Sequence, residues 1–201
     1  MKRSVARLAG IRAPYVAAGV VVAIGITVGL LLLVGGSSTT RPPSQETGAS
    51  NVRHVAQPAG ATPSESAQMV CAPEAQQDLA SALGATTTAV SEPTWADHVY
   101  SCRYAYPDGT MALSVKELSS KAETTAYFRS LRAQLGVSER LPGVAQGAFV
   151  TTNGSLVLRK DYKVLLVDTS GLAVPFGSGF KTQGQVAVGV GVTLLGCWTG
   201  A

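Results

Sequence analysis

Three cysteines, Cys71, Cys102 and Cys197, are the residues of this 201-residue chain whose type offers the widest chemistry. Two of them could form a disulfide, a thiolate could act as a nucleophile, and several could bind zinc together with histidines. A zinc site needs several converging ligands, and a nucleophilic cysteine needs a base. His98 is the one histidine among residues 69–201. The sequence therefore predicts no metal, no cofactor and no catalytic cysteine, and it favours a disulfide.

The spacing of the cysteines leaves their pairing open. Loop-closure entropy differs by only about 1 kcal/mol among the three possible rings. Cys102 shares a predicted strand face with Tyr100 and Tyr104, where a helix would pack, so we expect it to be one partner. Cys71 is the favoured second partner because it lies just before a predicted helix. Pairing of Cys197 with Cys102 or with Cys71 is the alternative, and the odd number leaves one thiol free.

Carboxylates and hydroxyls suggest two further sets of candidate catalytic residues, and each set also has a structural interpretation. Asp108, Asp161 and Asp168 could supply a pair for acid–base catalysis, but they also fit two turns and a strand end. The second group, which suggests a hydrolase, consists of Asp97, His98 and Ser101, which are also ordinary neighbours near one strand. An envelope hydrolase that uses a carboxylate or His98 remains the alternative function.

Five aromatic residues are expected at exposed positions, at strand ends, in a glycine-rich loop and near the C-terminus. Aromatic side chains are enriched at recognition sites. If the loop at residues 171–181 folds over the sheet edge, they would form a shallow pocket for a peptide or a glycan. The opposing interpretation is that they close the core. The five are Tyr104, Tyr106, Phe176, Phe180 and Trp198.

An uncharged stretch of 21 residues, 14–34, precedes everything described so far. At 1.5 Å per residue a helix of this length spans a bilayer core of about 30 Å. The basic tail at residues 1–13 then stays in the cytoplasm, which places the rest outside as a single-pass membrane protein. A cleaved secretory signal ending near Gly35 is the alternative. A third role, as a structural subunit of a membrane complex, would depend on the anchor glycines, which are Gly19, Gly25 and Gly29.

The net charge of +4 resides in the tail, which carries four basic residues and no acidic one. The remainder of the chain is neutral, with twelve basic and twelve acidic residues, so nucleic acid is not an expected partner. Residues 35–68 contain no aromatic residue, leucine or isoleucine and are predicted to be a disordered linker. The folded domain is then expected at residues 69–201.

Periodicity within this domain predicts alternating helices and antiparallel strands. A helix is expected at residues 73–83, before Gly84, and a longer one at residues 119–135, with Ala126, Phe128, Leu131 and Leu135 on its apolar face. A hairpin turns at Pro107-Asp108-Gly109. The predicted strands cover residues 98–106, 110–118, 148–152, 155–160 and 163–168.

The last segment, residues 185–198, is ambiguous, because alternating Val and Gly suggest a strand. Thr182 and Gln185, three apart before an apolar run, have the form of a capping box and favour a buried helix. The glycines at 189 and 191 would then allow close packing. The predicted order is α-β-β-α-β-β-β-α, an α+β fold with helices on an antiparallel sheet.

Five short stretches of the domain carry a resemblance to known proteins. They are MVCAPE, VYSCRY, LSVKEL, KDYKVL and GCWTG at residues 69–74, 99–104, 113–118, 160–165 and 196–200. In these the chain resembles a group of actinobacterial membrane-anchored or secreted proteins of unknown function with a cysteine-containing extracytoplasmic α+β domain. That group has no assigned activity, so the resemblance implies no functional residue. We expect a non-catalytic binding module for an envelope protein or a cell-envelope ligand such as a glycan.

Overall fold

The structure is a computed structural model that describes residues 56–199. Its helices are α1 (Glu65–Gln68), α2 (Pro73–Leu83), α3 (Lys121–Leu135) and α4 (Gln183–Thr199), with a 3-10 turn at Met69–Cys71. Its strands are β1 (Ala89–Val90), β2 (Thr94–Ala96), β3 (Val99–Tyr106), β4 (Gly109–Glu117), β5 (Glu139–Arg140), β6 (Ala148–Val150), β7 (Leu156–Lys160) and β8 (Lys163–Asp168). The predicted α+β class is therefore confirmed for these residues.

All strands join one antiparallel sheet in the order β1-β3-β4-β8-β7-β6-β5, and β2 pairs with β3 beside β1. The β3–β4 and β7–β8 hairpins meet where β4 pairs with β8, with Val115 opposite Leu165. Antiparallel neighbours need only short connections, and both hairpins have them. Gly109, in the predicted turn, has φ +129°, and a Cβ there would lie 2.1 Å from the carbonyl oxygen of Gly171.

Helices cover the two faces of the sheet unequally. The main core lies on the side where α1, α2 and α4 pack, with Tyr104, Leu113 and Leu165 fully buried. On the opposite side α3 packs on a smaller cluster around Phe149 and Val157. The predicted apolar face of α3 is correct for Phe128, Leu131 and Leu135. Ala126 is exposed, because at two residues before Phe128 it points away from the packed face. Thr124 is the buried residue of that face, and its hydroxyl donates a hydrogen bond to the carbonyl of Ser120.

The ambiguous C-terminal segment is helical, as the capping box predicted. The backbone N–H of Gln185 donates to the Thr182 hydroxyl over 3.2 Å, and the Gln185 side-chain oxygen accepts from the N–H of Thr182 over 3.3 Å. Gly191 faces β7, where a Cβ would lie 2.2 Å from Leu156 Cδ2. The absence of a side chain therefore lets α4 approach the sheet closely.

The folded part begins earlier than the sequence predicted. Helix α1 lies inside the predicted linker at residues 35–68; Ser64 accepts a hydrogen bond from the N–H of Ala67, and Ala67 is fully buried. Upstream of it, the N–H of Ala59 donates to the carbonyl of Leu118 over 3.0 Å. Small side chains such as Ala67 pack into the core here, whereas the disordered linker was predicted from the lack of large apolar side chains. The predicted tail, membrane helix and first part of the linker lie outside the described residues.

The favoured disulfide is present. Cys71 and Cys102 are bonded, with their Cα atoms 6.0 Å apart, and Cys197 is a free, half-buried thiol. The bond fixes the 3-10 turn to the middle of β3. Within residues 56–199, no helix has the length and apolar character needed to cross a bilayer.

Candidate functional site

An open groove of about 910 Å³ lies between the N-terminal half of α4, the glycine-rich loop and the β5–β6 edge of the sheet. We call it the α4 groove. Its volume falls within the range of sites that bind small molecules and short polymer segments. Three stretches line it: residues 138–141 around β5, residues 150–154 at the β6–β7 turn, and residues 178–189.

Glycines allow the segments that form the walls of this groove to pack closely against one another. A Cβ on Gly184 would lie 3.1 Å from Val150 Cγ1, so α4 begins directly against β6. Gly154, with φ +85°, sits against Gln183 in the same way, with a Cβ only 2.7 Å from that side chain. The glycine-rich loop is held from the other side, where the N–H of Ser178 donates to the carbonyl of Leu83 over 2.8 Å.

The apolar part of the groove is formed by four side chains, those of Leu141, Val150, Phe180 and Val188. The ring of Phe180 stands over Gly189, where a Cβ would lie 3.4 Å from ring carbons. The ring is neither fully buried nor fully exposed. It therefore offers a partly accessible aromatic surface.

The polar rim contains hydroxyl and amide groups and one charge. The hydroxyls of Thr151 and Ser138 donate hydrogen bonds to nearby backbone carbonyls, so they stabilise the structure of the rim. Gln185 accepts two backbone hydrogen bonds through its oxygen, which directs its two amide donors elsewhere. Ser178 is exposed, and its hydroxyl has no hydrogen-bond partner in residues 56–199. Glu139 is the one charged residue among the described residues that line the groove.

The expectation that all five aromatic residues are exposed is wrong for three of them. Tyr104, Tyr106 and Phe176 are at most 5% exposed and belong to the core. Tyr106 and Phe176 pack edge to face, with ring centroids 5.0 Å apart. The loop at residues 171–181 does fold over the sheet, but it carries Phe176 inward onto the strand face that Tyr106 occupies. These three residues close the core.

The other two aromatic residues are separated by the length of α4. Phe180 lines the groove just before the helix begins, while Trp198 lies at the far end of Gln183–Thr199. At 1.5 Å per residue that separation is about 25 Å. The carbonyl of Trp198 accepts a 3.2 Å hydrogen bond from Lys160 Nζ. Of the five predicted residues, the structure places Phe180 alone in the groove.

The candidate catalytic carboxylates are not brought together. Asp161 precedes β8 and Asp168 ends it, so they lie at opposite ends of one strand. Burial acts to raise the pKa of Asp168, but hydrogen bonds from Ser170 and Ser155 outweigh it and hold that pKa below its ordinary value. Such a carboxyl group stays ionised and cannot act as a general acid near neutral pH. Asp108 lies in the β3–β4 turn, where its carbonyl accepts from the N–H of Ala173 over 2.9 Å.

Asp97 and His98 form the exposed turn between β2 and β3. Both have positive φ values, +50° and +56°, as turn residues do. The His98 ring packs edge-on against Trp95, with centroids 5.7 Å apart. No group of three or more His, Cys, Asp or Glu residues that could hold a metal ion occurs between residues 56 and 199.

A buried ion pair escaped the sequence analysis. Glu117 and Lys163 are paired across β4 and β8, with Lys163 Nζ 3.9 Å from Glu117 Oε1 and both residues at most 6% exposed. The Ser64 hydroxyl also donates to that carboxylate. Burial lowers the pKa of Lys163, although the charge of Glu117 opposes the shift. Through this bond from Ser64, Glu117 connects the residues before α1 to the sheet.

Comparisons with known proteins gave no match to a protein family, to a curated protein or to a solved structure. The interpretation of the site therefore depends on its own geometry. The groove residues missed from the sequence, such as Glu139 and Ser178, lie in a two-residue strand and a loop, which no periodic pattern reveals. The sequence predicted Gln185 as part of the capping box, but it did not predict that this residue lines a groove.

Proposed function

We propose that this chain is a membrane-anchored extracytoplasmic binding module whose α4 groove holds a neutral, hydroxyl-rich ligand of the cell envelope, namely a glycan segment. The observation that carries the proposal is the pairing of the accessible Phe180 ring with a rim of hydroxyl and amide groups in an open groove. Sugar rings present apolar C–H faces to aromatic rings and hydroxyls to polar groups. A rim with one charge suits a neutral ligand better than a charged one.

Membrane anchoring is the second part of the proposal. It is supported by the uncharged residues 14–34 and by the basic residues that precede them. The disulfide between Cys71 and Cys102 agrees with an oxidising compartment. The resemblance to actinobacterial membrane-anchored or secreted proteins points the same way and stays a prediction.

Binding calorimetry on the full chain, titrated with a neutral tetrasaccharide of N-acetylglucosamine and separately with tetra-alanine, tests the proposal. We expect the sugar to bind and the Ser178→Ala/Phe180→Ala variant to weaken binding at least tenfold. Val192→Ala is the control, because Val192 is 53% exposed on α4 and does not line the groove. Equal binding by the Ser178→Ala/Phe180→Ala variant and the unchanged chain would overturn the groove assignment. Binding of tetra-alanine alone would show a peptide site instead.

A hydrolase is the less supported alternative. Among residues 56–199 the groove contains one carboxylate, Glu139, whereas hydrolysis of a glycan generally uses two. His98 lies in the β2–β3 turn and is not among the groove residues. Release of reducing ends from the tetrasaccharide by the full chain, lost in Glu139→Gln, would support catalysis and contradict the binding-module proposal.

A further inference from the structure

We propose that a second pocket, between α3 and the loop at residues 141–147, binds a small amphipathic anion: an apolar body that carries one acidic group, as a fatty acid does. The pocket has a volume of about 400 Å³. It lies between α3 and the β5–β6 edge of the sheet, next to the α4 groove, and Leu141 lines both. We call it the arginine pocket, after Arg132 and Arg140, which both line it.

The walls of the arginine pocket supply apolar surface. Phe128 of α3 and Phe149 of β6 pack edge to face, with ring centroids 5.2 Å apart, and both line the pocket. Val144 and Leu141 add aliphatic surface from the loop, and each is partly exposed. Burying apolar ligand surface here contributes about 25 cal/mol per Å². An inorganic anion could not use this contribution.

Two cationic groups at the pocket have no counter-charge among residues 56–199. Neither Arg132 nor Arg140 forms an ion pair with another residue in the described part of the chain, and no acidic residue lines the pocket. Glu139 is next to Arg140 in sequence, but alternate residues of a strand point to opposite faces, and Glu139 lines the α4 groove instead. The arginine forks are therefore available to a carboxylate or a phosphate monoester.

A third cationic side chain, that of Arg159, packs against the ring of Phe128. The guanidinium of Arg159 lies over the Phe128 ring, 5.7 Å from its centroid, and its Nη2 donates to the carbonyl of Gln146 over 2.8 Å. Its Nε is buried and has no hydrogen-bond partner within residues 56–199. This charge adds to a positive potential around the pocket. Asp161 is the acidic residue tied to the same loop, through a 3.0 Å hydrogen bond from Gln146 Nε2.

The loop that closes the pocket is held in place without a ligand. Gly147 accepts a 2.8 Å hydrogen bond from the N–H of Arg159 and donates to the carbonyl of Val144, while the N–H of Gln146 donates to the carbonyl of Arg159. Gly143, Ala145 and Gly147 all have positive φ, which curls the loop around the cavity. A pocket that is already formed avoids the cost of ordering a loop on binding.

Photolabelling of the full chain with octanoate that carries a terminal diazirine tests the proposal, because mass spectrometry reports where the label attaches. We expect saturable labelling at residues 141–149 and at Phe128, displaced by unlabelled octanoate. Arg132→Gln/Arg140→Gln should reduce the apparent affinity at least tenfold. Arg129→Gln is the matched control, since Arg129 is an exposed arginine of the same helix that does not line the pocket.

Three comparison ligands separate the contribution of the anionic head group from that of the apolar tail. Octyltrimethylammonium has the same tail with the opposite charge, octyl glucoside has a neutral head, and inorganic phosphate has no tail. We expect none of them to displace the label at a tenfold excess over octanoate. Displacement by octyltrimethylammonium, or unchanged labelling in Arg132→Gln/Arg140→Gln, would overturn the proposal. Displacement by phosphate at that tenfold excess would show a simple anion site and would likewise overturn it.

Discussion

The hydroxyl of Tyr104 donates a 2.7 Å hydrogen bond to the carbonyl of Val70, one residue before the disulfide-bonded Cys71. Tyr104 lies two residues after Cys102 on the same face of β3, so a covalent bond and a buried hydrogen bond fasten the same 3-10 turn. Burial raises the pKa of Tyr104, which keeps its hydroxyl protonated as a donor. The early part of the domain is thereby fixed to the sheet at two adjacent points.

Removing the disulfide should destabilise the domain strongly. Cys71→Ala/Cys102→Ala opens a 31-residue loop, and loop entropy predicts a loss of about 4 kcal/mol in the free energy of unfolding. Denaturant unfolding of the full chain measures the loss. Cys197→Ser is the control and should change the value by less than about 1 kcal/mol. Titration of the unreduced protein should find one thiol per chain, and a count of three would contradict the assigned pairing.

Tyr106 should make stability depend on alkaline pH. Burial raises the pKa of Tyr106 to about 12, against about 10 in the unfolded chain. Below pH 10 both states hold the proton, and as pH rises from 10 to 12 the unfolded state ionises first, so stability falls. At pH 11 the loss is about 1 kcal/mol for this group.

Tyr106→Phe provides the test of this pH dependence. The Tyr106 hydroxyl has no hydrogen-bond partner among residues 56–199, so at pH 8 the variant should be at least as stable as the unchanged chain. At pH 11 it should be more stable by about 1 kcal/mol beyond any difference at pH 8. Both chains carry Cys197→Ser, which prevents thiol exchange at high pH. An equal difference at the two pH values would contradict the prediction.

Two glycines of α4 should respond oppositely to alanine. In Gly191→Ala the new Cβ would lie 2.2 Å from Cδ2 of the buried Leu156, so that side chain or the helix must shift and stability should fall by about 1–3 kcal/mol. In Gly196→Ala the Cβ meets no atom of residues 56–199 within 4 Å, and the gain in helix propensity should stabilise the domain by about 0.5–1 kcal/mol. Thermal melts of both variants give the comparison, and two shifts of the same sign would contradict the packing of α4 on β7.

The buried ion pair should be more costly to break than to replace. Glu117→Gln leaves the Lys163 charge without its partner, and we expect a loss of about 3 kcal/mol. Glu117→Gln/Lys163→Met removes both charges and should lose less than the single variant. Denaturant unfolding at pH 7 measures both. A larger loss in the double variant would show that the two charges act independently.

Features formed by residues that are close together in the sequence could be predicted from it. The turn at Pro107-Asp108-Gly109 and the capping box of Thr182 and Gln185 are local, and both appear where expected. Helix α1 was not predicted, because its stability depends on a distant partner: Ser64 caps the helix and also contacts Glu117. Strands β1, β2 and β5 were missed because two or three residues show no period.

The site was harder to predict than the fold. Alternation along β3 correctly placed Cys102 and Tyr104 on one face, but it could not show that the loop at residues 171–181 brings Phe176 against Tyr106 on that face. The α4 groove combines three stretches of chain that meet only after folding. The two arginines of the second pocket are eight positions apart and lie on different elements, so no motif joins them.

The bond between Cys71 and Cys102 also decides how the domain responds to mechanical tension. The described chain begins at residue 56, and Cys102 lies near the middle of β3. A pull on the preceding residues would strip the hydrogen bonds around Ala59 and α1 and then stop at a covalent link to a strand paired on both sides. The load would then fall on β3, whose hydrogen bonds to the neighbouring strands would have to break before the chain could extend further. The oxidised domain should therefore resist a pull from its N-terminal side much longer than the reduced one.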